Sequence, residues 1–360
     1  MGADPPSPDP PSPSPEASAI PAPGALVAER YRVGERLGEG GMGVVLAVHD
    51  ERTGRDLALK LLTPLAARGA DNAARFFREA RAAMRIDCEH VVRVLDVGES
   101  AEGPYMLMER LVGVDLARKS EPDRKFPPAV VARWLIEASV ALAHAHARGI
   151  VHRDVKLSNL FLADRPGRDP TVKVLDFGVS KVVTREEWER TATLTGGAAL
   201  VGSPQTISPE QLRDPRDVDA RADVWSLGVV GYRLLTGRLP FRGDTLGSLF
   251  VAILERPPEP FAAADGVPPA LQAAILATLE KVPAERTASA AELARALAPF
   301  ADDARAAALA EEAARVLAAG LEPARDSAPP VPSPAAAPPR EAERTQTVDE
   351  PSPVAARPPS

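Results

Sequence analysis

The chain has 360 residues, with 43 Lys and Arg against 50 Asp and Glu, a formal net charge of −7 and an isoelectric point near 5.5. That balance excludes a global attraction to nucleic acid or to an anionic membrane surface. The only cysteine, Cys88, excludes an internal disulfide framework and any site built from several thiolates. A reducing, cytoplasmic setting is expected, and with no charge-free apolar run of about eighteen residues no membrane span is expected either.

Residues 1–27 are dominated by Pro, Ser and Ala. Such a segment buries too little apolar surface to offset the entropy of ordering, so it is expected to be disordered. It also lacks the basic start and apolar core of a secretory signal. From Tyr31 the pattern changes: Tyr31, Val33, Glu35 and Leu37 alternate with their neighbours, and Val44 to Val48 is β-branched and apolar. Between them runs L-G-E-G-G-M-G-V-V at 37–45. A glycine run of this kind can also open a dinucleotide-binding unit, where a helix follows it. A strand on both sides predicts a hairpin instead.

The segment D-L-A-L-K-L-L at 56–62 predicts a further strand, with Lys60 set among apolar residues; its bland reading is a snorkelling strand-end lysine. A helix is predicted over R-F-F-R-E-A-R-A-A-M at 75–84, with Phe76, Phe77 and Met84 as its apolar face. It carries Glu79, whose bland reading is a solvated position among Arg75, Arg78 and Arg81. Tyr105 to Met108 predicts a strand leading into Glu109, Arg110 and Leu111.

Pro127-Pro128 opens a long helix with Val130, Val131, Trp134, Leu135, Ala138, Ala141, Leu142 and Ala145 at helical spacing, and Gly149 as its stop. His144 and His146 lie two apart on it and face different ways, a poor arrangement for a metal. Then come H-R-D-V-K-L-S-N at 152–159 and Asp176-Phe177-Gly178. A polar stretch with Thr191, Thr193 and Thr195 leads to Ser208-Pro209-Glu210 and reads as a mobile loop, its bland reading being a solvated linker. D-V-W-S-L-G-V-V at 223–230 and K-V-P-A-E-R-T-A-S-A at 281–290 follow. A last helix is predicted over 301–320, with Glu311 and Arg315 at i,i+4 and Gly320 as its stop. Residues 321–360 are Pro/Ala-rich, expected to be disordered, and contain R-T-Q-T-V-D-E at 344–350.

In this order and spacing, the glycine run, the strand lysine, the helix glutamate, H-R-D-V-K-L-S-N, D-F-G, S-P-E and Arg286 resemble the bacterial eukaryotic-like (Hanks-type) serine/threonine protein kinases over roughly residues 30–300. The resemblance implies an α+β, bilobal protein-kinase-like fold. A small antiparallel β lobe would run over about 30–108 and a larger, mainly α-helical lobe over about 109–300, within a domain spanning 28–300.

It further implies ATP and Mg²⁺ as cofactors. Leu37, Gly38, Glu39, Gly40, Gly41, Met42, Gly43, Val44 and Val45 would cover the nucleotide. Ala58 would line the base site, Met108 would stand behind it, and the backbone of Glu109 to Leu111 would meet the base. Lys60, paired with Glu79, would hold the α and β phosphates. Phosphoryl transfer asks the protein to orient a hydroxyl, neutralise charge and hold metal ions. Asp154 suits the first task, Lys156 can meet the transferring phosphoryl, and Asn159 and Asp176 offer hard oxygen ligands to Mg²⁺.

By the same resemblance His152, Asp223, Glu210 and Arg286 are structural. Arg153 would take up a phosphothreonine at 191, 193 or 195. Leu157 stands where proline is usual and Thr206 where an aromatic is usual, while Ser203 keeps the hydroxyl of the customary threonine. The expected function is ATP-dependent phosphorylation of protein Ser/Thr hydroxyls, with autophosphorylation through a transient homodimer and a phosphothreonine reader at Thr345 or Thr347. An ATP-binding pseudokinase or scaffold signalling through its tails, and a small-molecule phosphotransferase, are the other readings.

Overall fold

The computed structural model describes residues 20–40, 43–62, 70–121, 123–177, 204–214, 217–301 and 303–320. Contacts divide the chain into Met1–Leu321 and Glu322–Ser360, and the described residues all belong to the former. The expected disordered segments lie outside them, except that the chain joins the fold before residue 28. Strand β1 (Leu26–Val27) pairs antiparallel with β2 (Tyr31–Gly40), and Val27 is wholly buried.

β2, β3 (Gly43–Asp50), β4 (Arg55–Leu62), β5 (Val94–Ser100) and β6 (Gly103–Glu109) complete a six-stranded sheet in the order β1-β2-β3-β4-β6-β5. Period-two burial builds it: Tyr31 and Val33 point inward while Arg32 between them is exposed. Helix α1 (Ala70–Met84) covers one face through Phe76, Ala80 and Ala83, spaced four and three apart. Met84, expected on that face, is turned out and 45% exposed.

After β7 (Gly113–Asp115) and the short α2 (Leu116–Lys119), α3 (Pro128–His146) runs through the second core. β8 (Leu160–Arg165) and β9 (Arg168–Val174) form a three-stranded sheet with β7 against it. α4 (Pro209–Arg213), α5 (Arg221–Thr236), α6 (Leu246–Glu255), α7 (Pro269–Thr278) and α8 (Ala290–Leu297) complete the larger part. α3 and α5 are buried almost all round, the signature of a core helix rather than an amphipathic surface one.

The last helix, α9 (Arg305–Ala319), buries Ala306, Leu309, Ala310 and Ala313 and packs on α3 and α8. It is part of the same core rather than an appendage. The expected Glu311–Arg315 pairing gives way to other contacts: the Glu311 carboxylate faces Arg295 at 3.7 Å, and Arg315 donates to the Glu311 carbonyl at 3.4 Å. Among the described residues no helix is long and apolar enough to cross a membrane.

Lys281 has unusual surroundings. Its ammonium lies 3.6 Å from the Phe241 ring centre and 4.8 Å from that of Trp225, and donates to the Ile253 carbonyl at 2.7 Å. Burial, with Arg286 and Arg213 nearby, pulls its pKa down to about 7, against the pull of Glu280. An unfolded lysine keeps its proton to about pH 10.4. Between about 7 and 10.4 the unfolded chain therefore binds the extra proton, and stability from this group rises with pH. Thermal unfolding of the wild type and of Lys281→Met should show the wild type gaining relative to the variant from pH 7 to pH 9; parallel curves would contradict this.

Candidate active site

The loop between α3 and β8 is built around one buried carboxylate. Asp223, at the start of α5, accepts from the amides of His152 (2.9 Å) and Arg153 (2.8 Å) and pairs with His146 Nε2 at 2.7 Å. Arg153 has φ +62°, a left-handed conformation costing roughly 1–3 kcal/mol in a residue with a side chain. The Asp223 clamp on both sides of that peptide holds it there. His146 thus has a structural role, as does His152. The latter's Nε2 donates to the Leu175 carbonyl (2.9 Å), its Nδ1 accepts from the Asp154 amide (3.2 Å), and its ring lies on Phe177. With both ring nitrogens committed, His152 is not available as a base; it ties 152–159 to Asp176-Phe177.

Asp154 is half-buried. Asn159 Nδ2 donates to its carbonyl (2.8 Å) and to its Oδ2 (3.0 Å), and Lys156 Nζ lies 2.9 Å from the same Oδ2. Asn159 therefore spends its NH₂ on Asp154 and presents an oxygen as its remaining donor atom. The Leu175 amide donates to the Asn159 carbonyl at 2.9 Å, which places Asp176 beside it. Leu157 opens the short turn over 157–159 and packs against the large core, so the absence of proline there is absorbed.

Lys60 reaches Asp176 at 2.8 Å. Burial disfavours its charge, but Asp176 and then Glu79 outweigh this and hold its pKa above the ordinary lysine value. Asp176 is thus a close ion partner of Lys60, and Glu79, buried on α1, adds to the field that keeps the ammonium charged. A cavity of about 10 Å³, the size of one water, lies between Glu79, Met106, Met108, Asp176 and Phe177.

Ala58 and Met108, both buried, belong to one apolar cluster against which Leu37, Val45, Leu111 and Leu175 pack. These residues come from β2, β3, β4, β6, the segment after β6 and the segment after β9. Leu175 was not anticipated from the sequence; its signal was its place immediately before Asp176. Val44, expected over the nucleotide, points the other way into the Tyr31–Leu107 core, because alternate residues of a strand face opposite sides. Glu39 is exposed and pairs with Arg36 at 2.9 Å.

The glycines divide by role. Nothing lies within 4 Å of a Cβ built at Gly38 or Gly40, whereas one at Gly43 would stand 2.1 Å from the Leu61 carbonyl oxygen. Gly43 is required by strand packing, and Gly38 and Gly40 leave backbone open to a ligand. The Glu109 amide donates to the Arg93 carbonyl (3.0 Å), so a base contact at 109 is limited to its carbonyl. Its carboxylate holds Lys173 at 2.7 Å, and Arg110 holds Glu35 at 2.9 Å.

On the other side of the loop, Ser208 and Gln211 form a capping box at α4, and Gln211 Nε2 donates to the Arg153 carbonyl at 3.1 Å. Glu210 and Arg286 form a two-pronged pair at 2.6 and 3.0 Å, as expected. Ser226 Oγ donates to the Thr206 carbonyl (2.8 Å), so the backbone, not the side chain, anchors position 206. Gly41, Met42, Gly178, Thr191, Thr193, Thr195, Ser203, Thr345 and Thr347 lie outside the described residues.

Burial raises the Cys88 thiol to about 11, so it stays protonated and unreactive. Among the described residues no cluster of three His, Cys, Asp or Glu side chains could hold a metal. The Asn159 and Asp176 oxygens fit a hard cation that keeps phosphate and water as its other ligands.

Comparison with known proteins gives one consistent result. A family model described as protein kinase domain matches residues 31–296. Serine/threonine-protein kinase Pkn1 of Myxococcus xanthus is 39% identical over 285 residues, 78% of this chain and 40% of the relative. PknB of Mycobacterium leprae is 36% identical over 272 residues, 74% and 42% respectively. The chain thus spans about two fifths of the length of these curated relatives. The crystal structure of the Mycobacterium tuberculosis PknI kinase domain matches with a TM-score of 0.58 at 26% identity, over 78% of this chain and 100% of that one.

Proposed function

The chain belongs to the protein kinase family, and from that premise we propose that it transfers the γ-phosphoryl group of ATP to Ser or Thr hydroxyls of proteins. The observation that carries the reading is the joining of Asp154, Lys156 and Asn159 to Lys60 and Asp176 through two short links, the His152 imidazole to the Leu175 carbonyl and the Leu175 amide to the Asn159 carbonyl. A scaffold that only binds nucleotide has no need for the Asp154 group, which no base or ribose contact requires.

The apolar cluster that gathers Leu37, Val45, Ala58, Met108, Leu111 and Leu175 supports an adenine site there. The open backbone at Gly38 and Gly40 approaches the phosphates. Lys60, kept protonated, neutralises charge on the α and β phosphates, and Asn159 and Asp176 would hold a Mg²⁺ ion, which would supply further charge neutralisation across the phosphates. Asp154 orients the acceptor hydroxyl and takes its proton as the oxygen–phosphorus bond forms. Lys156, 2.9 Å from that carboxylate, meets the transferring group.

Activation by phosphorylation of the 191–195 threonines fits the Arg153 guanidinium, which precedes Asp154 on a backbone held by both Asp223 and Gln211. Replacing Thr191, Thr193 and Thr195 together by alanine is expected to lower activity at least about tenfold and to remove phosphate from this stretch in mass spectra of protein incubated with Mg-ATP. Undiminished activity of the triple variant would rule this regulation out.

A further inference from the structure

In the middle of helix α3, among apolar residues, stands the carboxylate of Glu137, a residue only 3% exposed. A carboxylate in such a place is costly unless it is hydrogen-bonded. Glu137 Oε2 accepts from the Val172 amide at 2.8 Å, and the Thr171 hydroxyl bonds to the same carboxylate. The carbonyl of the same residue accepts from His90 Nδ1 at 3.1 Å, and that nitrogen lies 3.3 Å from Thr171 Oγ1. β9 is an edge strand, so its outward N–H and C=O have no ladder partner. Glu137 and His90 supply partners for both. Two residues on, Val174 exchanges bonds with the same loop, donating to the His90 carbonyl (2.8 Å) and accepting from Val92 (3.0 Å). Asp176 lies two residues further along the chain.

We propose that Glu137, with His90, is a positioning residue: it fixes β9 and so sets where Asp176 stands and how tightly the site takes Mg²⁺. This rests on the assignment of Asp176 as a metal ligand. The charged groups facing the pair come from every element packed there: Arg133 of α3, Arg305 and Glu312 of α9, and Glu89 of the loop. A cleft of about 280 Å³ lined by Glu89, His90, Arg305, Leu309, Glu312 and Arg315 gives solvent a route to His90. Burial pushes the Glu137 carboxyl up to about 7 and lowers His90 below the usual histidine value. The imidazole is then neutral, as its Nδ1–H bond to a carbonyl requires. The anchor is strongest with Glu137 ionised, because two donors point at the carboxylate.

The test is calorimetric Mg²⁺-dependent ATP binding beside phosphotransfer by the full chain over a Mg²⁺ titration, at pH 6, 7 and 8, for wild type, Glu137→Ala, Glu137→Gln and Asp176→Asn. Glu137→Ala is expected to need several-fold more Mg²⁺ for half-maximal rate while approaching wild-type kcat at saturation. Glu137→Gln, uncharged throughout, is expected to resemble wild type at pH 6 and to lack the wild type's tightening of Mg²⁺ dependence on going to pH 8. Wild-type Mg²⁺ dependence in a folded Glu137→Ala, with Asp176→Asn inactive, would overturn the positioning role alone. If Glu137→Ala does not fold, a Glu137→Gln pH profile parallel to wild type overturns it. An active Asp176→Asn would overturn the metal-ligand assignment and the proposal with it.

Discussion

Asp154→Asn is expected to lower the phosphotransfer rate by roughly 10²–10⁴-fold, the usual worth of a positioned acid–base group, while nucleotide affinity changes little. The substitution is nearly isosteric. An amide oxygen at 154 can still accept from Asn159 Nδ2 and Lys156 Nζ, which now lie 3.0 and 2.9 Å from Oδ2, so the loop geometry is retained. What is lost is a group that can receive a proton from the acceptor hydroxyl. The apolar cluster is built from other elements and a close ion partner of Lys60 is Asp176, which is why binding and turnover separate. Initial rates with a Ser/Thr peptide mixture, beside calorimetric Mg-ATP binding, would show it. A rate close to that of the wild type would remove Asp154 from the mechanism and leave a nucleotide-binding scaffold as the better reading.

Arg286→Ala is expected to destabilise the folded protein by about 3–5 kcal/mol, the cost typical of breaking a buried ion pair by deleting one partner. The guanidinium is fully enclosed, forks onto Glu210 and also donates to the Arg221 and Glu280 carbonyls at 2.8 and 3.0 Å. It stacks on Trp225 as well. Removing it strands a carboxylate and two carbonyls in the interior. Urea unfolding would measure the loss. Adding Glu210→Gln to the variant should recover part of it, since most of the cost is the stranded charge. Activity should fall with stability, because α4 carries both Glu210 and Gln211, and Gln211 holds the Arg153 carbonyl. A loss under about 1 kcal/mol, the range of exposed pairs, would mean that the pair is open to solvent.

How much of this was legible in the chain depends on the range over which each feature is decided. The hairpin around the glycines, the strand bearing Lys60 and the helix bearing Glu79 follow from side-chain period alone. The roles proposed for Asp154, Asn159 and Asp176 rest on residue chemistry at close spacing. His144 and His146 face different ways, as their spacing predicts, and each pairs with a different carboxylate, Glu312 and Asp223.

Where the reading fell short, long-range packing was the cause. Met84 has a helical spacing compatible with the apolar face of α1, but the sheet offers contact only to Phe76, Ala80 and Ala83 among the buried positions. Val44 belongs to the right strand and the wrong pleat. Glu311 could bond within its own helix, yet Arg295 of α8 competes for it.

Sequence by itself determined the order of elements, which rests on local periodicity, while its short motifs implied the fold class and the candidate chemical groups through the family resemblance they carry. Only the tertiary structure decided that Lys60 pairs with Asp176, that Asp223 and Gln211 grip the backbone of Arg153, and that Glu137 and His90 hold β9. The physical reason is that burial sets the strength of a polar contact, and burial is a property of segments distant in the chain brought into one interior.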